Sequence, residues 1–127
     1  MREIKFRFWD VLHKKIEYDF PVPLNEHSIN RFMMMAYNSN FWKIMQSTGV
    51  KDINGVEIYE DDAVKVFFFI EEEYHIGKII YDSGLGCYWV SDEKKFAFPL
   101  HGVGQGETLE VIGNVHENPE LLSAHSL

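Results

Sequence analysis

Six histidines and one cysteine are the first residues to test for chemistry: His13, His27, His75, His101, His116, His125 and Cys87. None of the histidines stands in an HxH, HExxH or CxxC-type frame, and a structural zinc site needs four ligands at closed spacing. Glu71, Glu73 and His75 fall at period two, so a strand would project them from one face as a conceivable divalent-cation site. The same three residues also read as the solvated end of a hairpin, and that reading is preferred. Asp82 followed by Glu93-Lys94-Lys95 fits the loose D…ExK frame of metal-dependent nucleases, in which two carboxylates hold the metal and the lysine orients water. That chemistry wants the acid and lysine on a rigid strand, whereas Glu93 falls in an SDEK turn. The tripeptide is also common, as Glu3-Ile4-Lys5 shows.

Nucleophilic chemistry has less to stand on. Cys87 lies in an apolar CYWV strand, where a small buried residue is the default. Ser47, Ser83 and Ser91 lack the strand-to-helix elbow that activates a serine. The glycine runs at residues 84–86 and 102–106 do not lead into a helix, so they read as turns and not as phosphate cradles. Aromatic side chains are plentiful, but a basic groove interleaved with them is missing, and only Arg2, Lys5, Arg7, Lys14 and Lys15 form a basic segment. A net charge of −8 further opposes a general affinity for phosphate backbones. No catalytic residue, metal or cofactor is therefore assigned. Nucleic-acid association, with a metal-dependent nuclease as its sharpest form, is kept as the alternative function.

The elements that must position these residues are mostly strands. A chain of 127 residues with 46% apolar content is expected to form one domain with a core that needs no disulfide. A single cysteine fits a reducing compartment. Residues 1–10 alternate instead of forming an apolar leader, and the longest apolar run, VFFFI at residues 66–70, is far short of the ~20 residues of a membrane span.

In REIKFRFW, Ile4, Phe6 and Phe8 alternate with Lys5, Arg7 and Trp9, which predicts a strand with one buried face. KIEYDF returns as a second strand. Residues 25–38 change period: Ile29, Phe32, Met33, Ala36 and Tyr37 predict one buried helix face, capped by Ser28 or Asn25. Residues 19–41 thus read as a helix-carrying insertion, with the Met33-Met34-Met35 run as core filler.

Further strands are predicted at FWKIMQST, VEIY, residues 63–70, YHIGKIIYD, CYWV, KFAFPL and TLEVIGNV. A short helix is predicted to start at Asn118-Pro119. Asn54-Gly55 predicts a tight hairpin with positive φ at both positions. Many short strands at close turn spacing indicate a barrel or compact sheet.

Three segments of this pattern resemble the YopX family of phage and prophage proteins. They are REIKFRFWD at the start, FWKIMQSTGVKDINGVEIYEDDAVKV in the middle and LEVIGNVHENPELL at the end. The central stretch resembles the family's MQ-x-TGLKD-x-NG-x-EIYEGD-x-V-x-V. Gly49, Asp52, Asn54, Gly55, Tyr59, Glu60 and Asp62 carry that match, as structural rather than catalytic positions. Asp61 replaces the family's glycine before the corner aspartate, and aspartate is among the few side chains that tolerate the left-handed region.

The resemblance implies a mainly β, barrel-like fold of short antiparallel strands with short capping helices. It also implies a phage or prophage origin and self-association, with no assigned reaction. The expected function is that of a noncatalytic oligomeric interaction or accessory protein in the cytoplasm of a bacterial host, bound to a phage or host protein. In VKVFFFI, Phe67 and Phe69 fall on one face and Phe68 on the other, and Phe68 is the expected interface residue.

Overall fold

A computed structural model describes residues 4–21, 25–92, 96–102 and 106–123. Among the described residues the chain is mainly antiparallel β in two sheets, one of them a half-barrel, with two short helices. Strands β1 (Lys5–Asp10), β2 (Lys15–Pro21), β3 (Trp42–Lys51) and β4 (Glu57–Tyr59) form the first sheet in the order β2-β1-β3-β4. Strands β5 (Asp62–Phe68), β6 (Glu73–Asp82), β7 (Cys87–Ser91), β8 (Ala97–Pro99) and β9 (Glu107–Asn114) form the second in the order β8-β7-β6-β5-β9. The predicted strands are all present, most of them within a residue or two of their expected ends, while β3 runs three residues past Thr48.

β1 departs from the one-sided reading. Arg7, Phe8, Trp9 and Asp10 are all buried, so both faces of its second half are covered. Helix α1 (Glu26–Tyr37) covers one face, and the acidic corner that leads into β5 meets the other through Arg7.

α1 starts as a capping box. Asn25 Oδ1 accepts from the Ser28 backbone N–H at 2.8 Å, and Ser28 Oγ accepts from the Asn25 N–H at 2.9 Å. Its inward stripe is Phe32 and Met35, which pack on Phe6, Phe8 and Trp42. Phe32 sets its ring edge-on to Phe6 and Phe8 at 5.3 and 5.4 Å. The stripe predicted to be core is mostly the outer face: Ile29, Met33, Ala36 and Tyr37 are exposed, and so is Met34. Of the methionine run only Met35 is core filler. The helix is apolar on more than one face, so periodicity alone could not choose which face meets β1.

The larger core lies in the second sheet. Val64 and Val66 of β5, Ile79 of β6, Val90 of β7 and Leu109 of β9 form it, with Leu100 from the 3-10 turn at Leu100–Gly102. Ile58 of β4 completes the cluster, although β4 is hydrogen-bonded to the first sheet. The two sheets therefore share one side chain at the centre of this core. Helix α2 (Glu120–Ser123) follows β9. Among the described residues no helix is long and apolar enough to cross a membrane.

Candidate functional site

The stretch from Thr48 to Val66 builds the seam between the sheets, and each of its matched positions has a geometric job. Gly49 has φ +79 inside β3, where the register against β4 shifts between Ser47 and Lys51. The expected Asn-Gly two-residue turn is not what forms. Only Gly55 has positive φ, at +81, and Asn54 does not. Asp52 supplies the difference. Its Oδ1 accepts from the Asn54 and Val56 N–H groups at 2.9 and 2.8 Å, which closes a longer loop around its own carboxylate. Its Oδ2 accepts from the Val111 N–H of β9 at 2.9 Å, and the Ile53 N–H donates to Leu109 O at 3.0 Å. The loop thus occupies hydrogen-bonding groups on the otherwise open edge of β9.

Beside this loop, Arg7 of β1 reaches across the seam. Its Nη2 donates to Asp62 Oδ1 at 2.8 Å and to Glu60 O at 3.1 Å, and its guanidinium lies over the Tyr59 ring at 4.7 Å. Both side chains of the ion pair are nearly sealed from water, at 4% and 3% exposure. Asp62 Oδ2 accepts from the Tyr59 N–H at 2.7 Å, and Glu60 Oε1 accepts from the Gln46 N–H at 2.6 Å. Burial lifts the Asp62 carboxyl above its ordinary value, although Arg7 pulls the other way. Burial also lifts Glu60, against the Gln46 hydrogen bond and with help from the neighbouring charge of Asp61.

Carboxyls raised in the folded state make folding bind protons, so their contribution weakens as pH rises through the raised values. Asp10 works in the opposite sense. Burial opposes its charge, but hydrogen bonds from the His13 backbone and ring hold it below its ordinary value. The urea midpoint is therefore expected to rise from neutral pH toward the ordinary carboxylate range and to fall below that range as Asp10 takes its proton. Glu60→Gln should flatten the rise. A Glu60→Gln profile parallel to wild type would show that Glu60 contributes none of it.

Above the ion pair lies an open cleft of about 520 Å³, lined by Lys5, Arg7, Glu57, Tyr59, Asn114 and Glu117 among others. Its polar groups pair with one another: Lys5 Nζ lies 3.3 Å from Glu57 Oε1, and Asn114 Nδ2 donates to Glu117 Oε1 at 2.8 Å. The recess joins β1, β4 and β9, and its polar groups serve to hold them together.

The corner itself was legible in part. Asp61 has φ +66, in the left-handed region as expected. What sequence missed is its partner. Asp61 Oδ2 lies 3.0 Å from His116 Nε2, and the His116 ring stacks on Trp9 at 5.5 Å. A His and an Asp 55 positions apart carry no spacing signal. Asp61→Gly relieves the backbone strain but removes this hydrogen bond, two effects of about 1 kcal/mol each and of opposite sign. The melting temperature is expected to stay close to wild type. A clear loss would mean that the His116 contact outweighs the strain.

The other chemical candidates disperse. His75 stacks on Phe96 at 4.2 Å and lies 3.7 Å from Glu73 Oε1, while Glu71 sits in the preceding turn. Among the described residues no group of three or more His, Cys, Asp or Glu is arranged to hold a metal. Asp82 Oδ1 accepts from the N–H groups of Gly84 and Leu85 and so shapes its own turn. Glu93, Lys94, Lys95 and His125 lie outside the described residues. Phe68 packs on the large core and sets its ring against Phe96 and Phe98, whereas Phe69, beyond it, is exposed.

The chain is matched by a family model, described as YopX protein, over residues 5–123. The chain belongs to the YopX family. Its fold is similar to the crystal structure of YopX from Bacillus subtilis, with a TM-score of 0.60 and 19% identity over 93% of this chain and 95% of that one. It is also similar to EF1440 from Enterococcus faecalis, with a TM-score of 0.51 and 24% identity over 94% of this chain and 97% of that one. No curated protein matches the chain. The YopX proteins are a family of uncharacterised function, so these likenesses establish the fold alone.

Proposed function

We propose that this YopX protein is a noncatalytic accessory protein of phage or prophage origin that self-associates and binds a phage or host protein in the bacterial cytoplasm. The observation that carries the reading is the outer face of α1. Ile29, Met33 and Tyr37 form a stripe at helical spacing that is 42%, 45% and 80% exposed, on a helix anchored to a sheet by its opposite face. Methionine and aromatic side chains are enriched where protein surfaces meet, and thioethers adapt to irregular partners. The polar groups of the seam cleft bond one another and serve the fold, which supports binding over catalysis as the role of this molecule.

Light scattering coupled to size exclusion tests the self-association. A mass that is a multiple of 14.9 kDa is expected, and a single-chain mass at every accessible concentration would overturn it. For the partner, a tagged chain recovered from phage-infected cells should retain the same protein with and without nuclease treatment, and Met33→Glu should release it. Recovery abolished by nuclease would favour the alternative, a nucleic-acid-associated protein. Metal-dependent cleavage of plasmid, lost in Glu93→Ala, would make that alternative a nuclease.

A further inference from the structure

Three hairpins in the molecule are closed by four-residue loops of one design. The flanking pairs are Asp10 with Lys15, Phe68 with Glu73, and Asp82 with Cys87. In each loop the fourth residue is left-handed: Lys14 at φ 54, Glu72 at φ 52 and Gly86 at φ 67. Glycine adopts that conformation freely, whereas a residue with a Cβ pays roughly 1 kcal/mol or more there. The third loop shows that the hairpin needs no side chain at this position. The first two nevertheless keep a charged one, in solvent, at a cost in strain.

These two loops share their length, their left-handed fourth residue and an exposed apolar pair, and they carry opposite charges. Each opens on an exposed apolar pair, Val11-Leu12 in one and Phe69-Ile70 in the other, with Leu12 70% and Ile70 88% exposed. One continues as His13-Lys14-Lys15, the other as Glu71-Glu72-Glu73. Within one chain they stand apart. Trp9 stacks on His116, which bonds Asp61, so the end of β1 lies beside the start of β5. The acidic loop lies beyond the far end of β5, seven strand residues or about 23 Å away.

We propose that the basic loop at residues 11–15 of one chain docks on the acidic loop at residues 69–73 of a second copy. This rests on the self-association reading above and names its surface. The apolar pairs meet at the centre of the contact, and the opposite charges around them set its orientation. Each chain carries both halves of the contact, so two copies that exchange both loops close a twofold dimer, and copies that share one loop contact at a time form a ring or an open chain.

Sedimentation of charge-reversed chains is the test. Lys14→Glu and Glu72→Lys should each weaken association by about tenfold or more, since each sets like charges against each other. An equimolar mixture of the two variants should recover the wild-type mass, because every contact is then complementary again. Recovery in the mixture also shows that both variants are folded. A separate chain with Lys14→Gly and Glu72→Gly should melt higher than wild type while associating more weakly. If wild type is a single chain throughout, both the self-association and this surface are wrong. If wild type associates and neither charge reversal changes its mass, self-association stands and the loop contact is overturned.

Discussion

Replacing Arg7 by alanine is expected to cost about 3–5 kcal/mol of folding stability, the usual result of leaving one buried charge without its partner. The Asp62 carboxylate would keep its Tyr59 N–H but lose Arg7, in a site where burial already raises its proton affinity. Glu60 O would lose its guanidinium donor, and the Tyr59 ring its cation. Lys5→Ala is the control. Lys5 belongs to the same basic segment, but its pair with Glu57 is about a third exposed, so a loss of at most about 1 kcal/mol is expected. Arg7→Lys should not rescue, because an ammonium cannot reach two acceptors and lie flat on Tyr59 at once. Arg7→Met combined with Asp62→Asn should recover part of the loss, since no charge then remains buried and the Tyr59 N–H keeps an acceptor. Urea unfolding measures all four. A loss for Arg7→Ala no larger than that for Lys5→Ala would show that water reaches the pair.

Ile58→Ala should cost about 2–5 kcal/mol, as expected for emptying a sealed core site. Ile58 is 1% exposed and packs among Val64, Val66, Ile79, Val90 and Leu109, yet its strand is bonded to β3. The loss should therefore fall on both sheets together. Trp9 and Trp42 report on the first sheet and Trp89 on the second. Fluorescence of single-tryptophan chains should show one shared transition at a lower urea concentration. If Trp89 shifts while Trp9 and Trp42 do not, the sheets are energetically separate. Val50→Ala, in the same sheet but 37% exposed, should cost less than about 0.5 kcal/mol.

The sequence by itself determined the strands, the turns and the family. Alternation, glycine and proline punctuation and the Asn25 cap are local signals, because backbone dihedrals and near-neighbour hydrogen bonds are decided within a few residues. The left-handed Asp61 was legible for the same reason. Even the Asn54-Gly55 turn was read at the right place, and only its form was missed, because Asp52 takes the backbone donors that a tighter turn would have left to water. What the tertiary structure decided was which face of each element is covered and by what. Arg7 looked like a surface cation until Asp62, 55 positions away, came across the seam to meet it. α1 offered two apolar faces, and contact with Phe6 and Phe8 selected Phe32 and Met35 over Ile29 and Met33. His116 and Asp61 became partners only when the end of β9 returned to the corner. Each of these depends on which distant segments the fold brings together, and local periodicity carries no record of that choice.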